Sequence, residues 1–117
     1  MHGGKAMVKI FERAGVDCIF SSPGTEWPPV WEAFAELREQ GVDRPRYINC
    51  RHEAAAVAMA SGYTKITGKP QAVLLHVTAG PLNAAMFLRA AYQERVPMVI
   101  CCGDTAMSIA LDSTRST

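Results

Sequence analysis

The run Ala72-Val73-Leu74-Leu75-His76-Val77 constrains the fold more than any other segment, because its apolar side chains fall on both faces of an extended strand. A strand that is apolar on both faces has to be covered on both sides, which is typical of the central strands of parallel sheets. The sequence therefore predicts an α/β fold in which a parallel sheet lies between two layers of helices.

The segments around this run alternate between helical and strand spacing. Apolar residues at helical spacing predict helices that end near Gly15, Gly41 and Gly68. Short apolar runs predict strands over residues 18–22, 47–50, 72–77 and 98–102. Four helix–strand pairs in this order imply right-handed crossovers and a flavodoxin-like three-layer domain.

The last third of the chain is predicted to complete this pattern only in part. Residues 78–83 are expected to form a turn before a fourth helix. The apolar face of that helix is Ala84, Phe87, Leu88 and Ala91. A further helix is expected from Ala106, and the fold is expected to be truncated at its C-terminal end.

The composition describes one ordinary globular domain over residues 1–117, with 49% hydrophobic and 20% charged residues. The net charge is only +1 and no basic run is present, which argues against nucleic-acid binding. No apolar stretch approaches the ~20 residues that cross a bilayer, and the N-terminus lacks an apolar signal core. We therefore expect a cytoplasmic chain that does not enter a membrane.

The cysteines lie in apolar, strand-like segments at positions 18, 50, 101 and 102. Such positions favour reduced core thiols over disulfides. No pair has the Cys-x-x-Cys spacing of a zinc knuckle. No residue of the chain is therefore predicted to bind a metal.

The loops that follow the predicted strands meet at one edge of the sheet, where α/β proteins place their ligands. These loops contain Glu53, at the start of a helix, and His76, at the end of the central strand. The helix dipole favours the charged form of Glu53 and burial favours its neutral form, so the direction of its pKa shift stays open. Glu53 can equally support the first turn of its helix, and His76 can be a structural histidine.

Several neighbours of these two residues have structural explanations. His52 is expected to be exposed or to cap the helix, and Trp27 and Trp31 to cover an edge of the core rather than a substrate pocket. Residues 80–83 lack the Gly-x-Gly-x-x-Gly pattern of a dinucleotide-binding turn. The residues alone thus indicate a cleft at the strand ends that contains a glutamate and a histidine.

Taken in order, three parts of the chain resemble the pyrimidine-binding domain of thiamine diphosphate-dependent enzymes, the group that includes acetolactate synthase and benzoylformate decarboxylase. The first part is residues 14–24, which end in a Pro-Gly turn. The second is His52-Glu53-Ala54-Ala55-Ala56 with Gly62-Tyr63 and residues 67–70. The third is residues 80–84 with Val96-Pro97 and Gly103. The resemblance covers most of the chain, and the ordered set of segments is specific.

By this resemblance Glu53 matches the glutamate that hydrogen-bonds N1′ of the cofactor's aminopyrimidine ring. That contact favours the ring tautomer that removes the thiazolium C2 proton, and the resulting carbanion attacks a 2-oxo acid. The implied activity is a 2-oxo acid decarboxylase or a carboligase such as acetolactate synthase. His76 matches a histidine of benzoylformate decarboxylase that assists proton transfer to the substrate.

Two further turns are implied to bind the cofactor or to touch the substrate. Their residues are Pro23, Gly24, Thr25, Gly80 and Asn83. Thr25 lies where a hydroxyl group can reach the substrate in the decarboxylases. Leu82 occupies a position where relatives often have a second glycine, so the shape of the second turn is expected to differ.

The resemblance also implies a second domain, which binds the diphosphate and a divalent metal, usually Mg²⁺, through a Gly-Asp-Gly motif followed by asparagines. Gly103-Asp104-Thr105 is not that motif, because a threonine replaces the second glycine. The diphosphate-binding and metal-binding domain is therefore expected outside this chain. The expected partners are that domain or subunit, in a homo- or hetero-oligomer, and a 2-oxo acid substrate.

The sequence is compatible with three different functions. The first is the pyrimidine-domain part of a thiamine diphosphate enzyme. The second is a non-catalytic α/β module for assembly or regulation, against which the presence of Glu53 argues. The third is an unrelated flavodoxin-like ligand domain, which predicts a phosphate-binding loop where residues 23–27 instead place an acid and bulky side chains.

Overall fold

The computed structural model describes residues 3–104, in which four helices alternate with four strands. The helices are α1 (Gly3–Arg13), α2 (Pro28–Glu39), α3 (Glu53–Thr67) and α4 (Ala79–Gln93). The strands are β1 (Cys18–Ser22), β2 (Arg46–Asn49), β3 (Gln71–Leu75) and β4 (Met98–Cys102). The helix predicted from Ala106 lies outside the described residues. Over residues 3–104, no helix has the length and apolar character needed to cross a membrane.

The four strands form one parallel sheet in the order β2-β1-β3-β4, which confirms the predicted α/β fold. From β1 the chain continues to β2, at one edge of the sheet, and from β3 it continues to β4, at the opposite edge. The winding direction therefore reverses between β1 and β3. Such a switch point opens a crevice at the carboxyl ends of the strands.

Two hydrophobic cores lie on opposite faces of the sheet. Helices α1 and α2 cover one face, where Phe34 and Leu74 belong to one cluster of buried hydrophobic residues. Helices α3 and α4 cover the other face, where Val57 and Leu75 are buried. All five residues of β3 are buried, as predicted for a central strand with helices on both sides.

All three helix ends that the glycine pattern predicts are confirmed, since Gly15, Gly41 and Gly68 each have a positive φ at the end of a helix. Gly15 has a φ of 76°, and the N–H of Val16 donates to the carbonyl oxygen of Phe11 at 3.0 Å. Gly68 has a φ of 72°, and its own N–H donates to the carbonyl oxygen of Thr64 at 2.8 Å. These left-handed residues end α1 and α3 because glycine adopts a positive φ without a Cβ clash.

The predicted turn over residues 78–83 is wrong, because α4 already begins at Ala79. Thr78 has helical dihedral angles, and the N–H of Gly80 donates to the carbonyl oxygen of His76 at 2.7 Å. Pro81 fits the first turn, since the first N–H groups of a helix have no partner within it. The residues predicted for a turn therefore lie on a helix start.

Two core predictions also fail. Phe87 is 45% exposed, because α4 packs against α3 through small buried residues such as Ala84 and Ala91 and leaves larger side chains outside. Cys102 is exposed at the end of β4, an edge strand of the described sheet. The other thiols fit the prediction better, since Cys18 and Cys50 are buried and Cys101 is partly buried. All four cysteines are free.

Candidate functional site

The predicted site residues gather at the carboxyl ends of β1, β2 and β3, on the loops and helix starts that follow these strands. Since β1 and β3 are neighbours, the loop after β1 lies beside the residues after β3. The start of α3 comes from β2, on the other side of β1. The fold therefore collects them at one edge of the sheet.

Glu53 is the first residue of α3, and its carboxylate contacts Asn83 in the N-terminal part of α4. Nδ2 of Asn83 donates a hydrogen bond of 3.3 Å to Oε2 of Glu53. Only 14% of the Glu53 side chain is exposed. The two helices on this face of the sheet thus meet at a buried carboxylate and an amide.

The pKa of Glu53 lies below its ordinary value. Burial raises the pKa of this carboxyl group, but hydrogen bonds from its own backbone N–H, from the amide of Asn83 and from the hydroxyl of Ser22 lower it, and the net shift is downward. The direction that the sequence left open is therefore downward, because hydrogen bonds to the charged form outweigh desolvation. Glu53 is a carboxylate at neutral pH and accepts hydrogen bonds.

His52 caps α3. Its Nδ1 accepts a hydrogen bond of 3.1 Å from the backbone N–H of Ala54, and 60% of its side chain is exposed. A side chain that satisfies a free N–H group at a helix start stabilises that start. The prediction that His52 is an exposed or capping residue is confirmed.

His76 lies one residue beyond β3 and is paired with Glu26, from the loop after β1. Nδ1 of His76 is 2.8 Å from Oε2 and 3.1 Å from Oε1 of Glu26. The backbone N–H of Val77 donates to Oε1 of Glu26 at 3.2 Å. Burial raises the pKa of Glu26, but hydrogen bonds from its own backbone N–H, from His76 and from Val77 hold it below its ordinary value. Glu26 is therefore an ionised carboxylate with two partners on the residues after β3.

Two glycines leave room for the Glu26–His76 pair. A Cβ atom on Gly24 would overlap the imidazole of His76, and one on Gly103 would lie 2.8 Å from Cδ of Glu26. Neither position accepts a side chain unless Glu26 or His76 moves. The loop after β1 and the residue after β4 therefore enclose the pair.

The other predicted residues take varied positions at the same edge. Pro23 is half-buried and Thr25 is exposed, both on the loop after β1. Gly80 is buried, and a Cβ atom there would lie 2.9 Å from Cβ of Leu75, so the glycine lets α4 start close to β3. Leu82 is 70% exposed and lies in the first turn of α4.

The two tryptophans after β1 differ in exposure. Trp27 is 7% exposed, and its Nε1 donates to the carbonyl oxygen of Leu75 at 3.2 Å. This bond ties the segment before α2 to the end of β3, so Trp27 covers the core as predicted. Trp31 is 40% exposed and donates from Nε1 to the hydroxyl of Tyr47 at 2.9 Å.

Glu26 is a site residue that the sequence pattern did not predict. The available signal was an acidic residue two positions after the Pro-Gly turn. Its histidine partner is 50 positions further along the chain, and only the adjacency of β1 and β3 brings the two together. Among the described residues, no group of three or more His, Cys, Asp or Glu side chains is placed to hold a metal ion.

The chain matches known proteins over most of its length. Residues 1–114 match the family described as thiamine pyrophosphate enzyme, N-terminal TPP binding domain. IlvX of Mycobacterium tuberculosis, a candidate acetolactate synthase large subunit, is 37% identical over 106 residues, which are 91% of this chain and 20% of IlvX. Benzoylformate decarboxylase of Pseudomonas aeruginosa is 34% identical over 104 residues, which are 89% of this chain and 18% of that enzyme.

A solved structure shares the fold as well. The thiamine diphosphate-dependent 4-hydroxybenzoylformate decarboxylase of Rhodococcus jostii RHA1 has a TM-score of 0.73 and 26% identity, covering 94% of this chain and 20% of that one. The chain therefore spans about a fifth of the length of these relatives. With a family match over nearly all of its residues, the chain belongs to the N-terminal TPP-binding domain family of thiamine pyrophosphate enzymes.

Proposed function

We propose that this chain supplies the pyrimidine-binding part of the active site of a thiamine diphosphate-dependent 2-oxo acid decarboxylase or carboligase. The observation that carries the proposal is the placement of Glu53, a largely buried carboxylate at a helix start at the carboxyl edge of the sheet. The relatives support the reaction class, since they include a benzoylformate decarboxylase and benzoylformate is a 2-oxo acid.

The residues at this edge fit the aminopyrimidine end of the cofactor. Glu53 is ionised at neutral pH and accepts hydrogen bonds, as a partner of a protonated ring nitrogen such as N1′ must. Asn83 orients the carboxylate through its amide. Gly80 keeps the start of α4 close to β3 and free of a side chain. We place Pro23, Gly24 and Thr25 beside the part of the ring nearest the substrate.

In this proposal, Glu53 and His76 are the two groups of this chain that handle protons, Glu53 at the cofactor and His76 at the substrate. When bound, the cofactor supplies a carbon nucleophile and an electron sink for the carbonyl substrate. Glu53 would accept a hydrogen bond from a protonated N1′ of the ring, and its negative charge would stabilise the positive charge of that ring. His76, with Nδ1 occupied by Glu26, exchanges a proton with the substrate through Nε2. General acid–base catalysis of this kind contributes about 10²–10⁴-fold in rate.

The diphosphate end of the cofactor needs groups that we place on another domain or subunit. The chain covers 20% of IlvX, and residues 3–104 hold no cluster suited to a metal ion. We therefore assign the diphosphate and Mg²⁺ to a diphosphate-binding partner in a homo- or hetero-oligomer. The four free thiols fit a reducing compartment such as the cytoplasm.

The test compares Glu53→Gln with the wild type in the full chain, combined with a polypeptide that carries the diphosphate-binding domain. We expect the wild-type complex to release CO₂ from pyruvate or benzoylformate. Glu53→Gln is expected to lower kcat by about 10²–10⁴-fold, because a neutral amide does not stabilise the positive charge of a protonated ring. Glu12→Gln makes the same change at an exposed position of α1 and is expected to retain activity.

Two results would contradict the proposal. Equal turnover by the wild type and by Glu53→Gln would remove the role assigned to Glu53. Failure of the wild-type complex to bind thiamine diphosphate in the presence of Mg²⁺ would favour the non-catalytic α/β module, which keeps the fold but needs no cofactor.

A further inference from the structure

We propose that Glu26 is a positioning residue that keeps Nδ1 of His76 protonated and leaves Nε2 as the nitrogen that meets the substrate. The catalytic consequence rests on the function proposed above. The protonation pattern of His76 does not, because it follows from the geometry of the residues around the end of β3.

Two hydrogen bonds fix the carboxylate of Glu26 against those residues. Oε1 accepts from the N–H of Val77 at 3.2 Å, while Oε2 lies 2.8 Å from Nδ1 of His76. The main-chain N–H belongs to the residue that follows His76. The carboxylate is therefore anchored to the same short segment that carries the imidazole, and Oε2 stays at Nδ1.

The charge of Glu26 decides which nitrogen carries hydrogen. An ionised carboxylate only accepts hydrogen bonds, so Nδ1 of His76 has to be the donor. In the neutral ring, hydrogen on Nδ1 leaves a lone pair on Nε2 that accepts a proton. In the protonated ring, Nε2 carries a proton that it can transfer. Both forms direct proton exchange to Nε2.

Burial separates the two members of the pair. The side chain of Glu26 is 14% exposed, whereas that of His76 is 41% exposed. The imidazole can therefore meet a ligand, while the carboxylate is shielded and acts through the imidazole. The absence of side chains at Gly24 and Gly103 leaves the room that this arrangement needs.

Glu26→Gln is expected to move the hydrogen of the neutral His76 ring from Nδ1 to Nε2. The N–H of Val77 needs an acceptor, so the new amide oxygen takes that hydrogen bond and the amide NH₂ faces Nδ1 of His76. An NH₂ group only donates, so Nδ1 has to lose its hydrogen and Nε2 has to carry it. The two states of His76 therefore differ in which nitrogen is protonated, and not merely in position.

Nitrogen-15 NMR of the histidine side chains in the full chain measures this difference, at a pH where the rings are neutral. We expect the Nδ1–H form in the wild type and the Nε2–H form in Glu26→Gln. Glu26→Asp keeps a carboxylate and is expected to restore the Nδ1–H form, while Glu12→Gln leaves it unchanged. His76→Gln identifies the signals of His76 among the three histidines.

An Nε2–H form in the wild type, or the same form in the wild type and in Glu26→Gln, would overturn the proposal. Backbone amide spectra report whether each variant folds. If Glu26→Gln does not fold, the nitrogen-15 spectrum of the wild type still shows which nitrogen of His76 carries hydrogen. In the cofactor-dependent complex, Glu26→Gln is expected to lower kcat by about 10²-fold with an unchanged KM for thiamine diphosphate.

The two proposals fail separately. Loss of cofactor binding with the Nδ1–H form intact would refute the proposed function and leave the role of Glu26 in the protonation of His76. Full activity of the complex with an Nε2–H form in the wild type would refute the role of Glu26 alone.

Discussion

Single side chains at the carboxyl edge of the sheet carry the proposed chemistry, and their neighbours decide their charge. Burial raises the pKa of both Glu53 and Glu26, and hydrogen bonds lower the pKa of each by more. Both side chains therefore stay ionised at neutral pH. Their partners differ in kind, since the amide of Asn83 only orients a carboxylate whereas the imidazole of His76 can exchange a proton.

Gly103→Ala tests whether the Glu26–His76 pair depends on the space beside it. A Cβ atom at this position would lie 2.8 Å from Cδ of Glu26, so the carboxylate has to move away from His76. We expect the free energy of unfolding to fall by about 1–3 kcal/mol, as for other overpacked sites. We also expect loss of the Nδ1–H form of His76. Urea unfolding and nitrogen-15 NMR measure the two effects.

Gly62→Ala is the matched control for this substitution. Apart from the adjacent residues and backbone of its own helix, no atom lies within 4 Å of a Cβ placed on Gly62, which is inside α3. Alanine is more favourable than glycine inside a helix by about 0.5–1 kcal/mol, so we expect a gain in stability and no change at His76. Equal effects of the two substitutions would contradict the steric argument for Gly103.

Whole elements are joined at the opposite, amino-terminal edge of the sheet by Asp17, which directly precedes β1. Nη1 of Arg44, in the loop before β2, donates to Oδ1 of Asp17 at 2.5 Å. Nζ of Lys69, in the loop before β3, donates to Oδ2 at 3.4 Å. Burial raises the pKa of Asp17, and these two cations lower it by more. One carboxylate therefore connects the segments that lead into three strands.

Asp17→Asn is expected to make stability less dependent on pH in the acid range. Because the pKa of Asp17 is lower in the folded state than in the unfolded chain, its contribution is present at neutral pH and is lost as the pH falls through the folded value. The side chains of Arg44 and Lys69 are more than half exposed. We therefore expect a loss of only about 0.5–1 kcal/mol at pH 7, which disappears as the pH falls toward about 2.

Urea unfolding at a series of pH values measures this difference. Asp43→Asn removes the same charge from an exposed neighbour in the loop before β2 and is expected to have little effect. A destabilisation by Asp17→Asn that grows on acidification would contradict the assignment.

Element boundaries were predictable where they depend on local chemistry. Gly15 and Gly68 end helices because a positive φ is a property of the residue itself. The start of α4 was not predictable in this way, because Gly80 and Pro81 suit a turn and the first turn of a helix equally well. In the structure these residues form a helix, and its start packs closely against Leu75 at Gly80.

The molecule as a whole presents one end of a two-ended cofactor site, on the function proposed here. The sheet order places the switch point between β1 and β3, and the residues that we propose to contact the pyrimidine lie around it. We expect the full chain alone to bind thiamine diphosphate weakly, because it contacts only the ring end. Adding the diphosphate-binding polypeptide is expected to strengthen binding by about 10²-fold or more, since both ends of one ligand are then held.

Isothermal titration of thiamine diphosphate with Mg²⁺ into each chain and into their mixture measures this gain. The partner polypeptide alone is the control. Equal affinity of the partner alone and of the mixture would contradict a contribution from this chain.

The sequence by itself determined the features that depend on neighbours along the chain. These are the helical and strand periods, the doubly apolar β3, three glycine helix ends and the ordered motifs that place the chain in its family. Only the tertiary structure decided which side chains meet: Asn83 with Glu53, 30 positions away, and Glu26 with His76, 50 positions away. It also decided the direction of the pKa shift of Glu53. The physical reason is that these contacts and the burial around them depend on strand order, which local spacing does not encode.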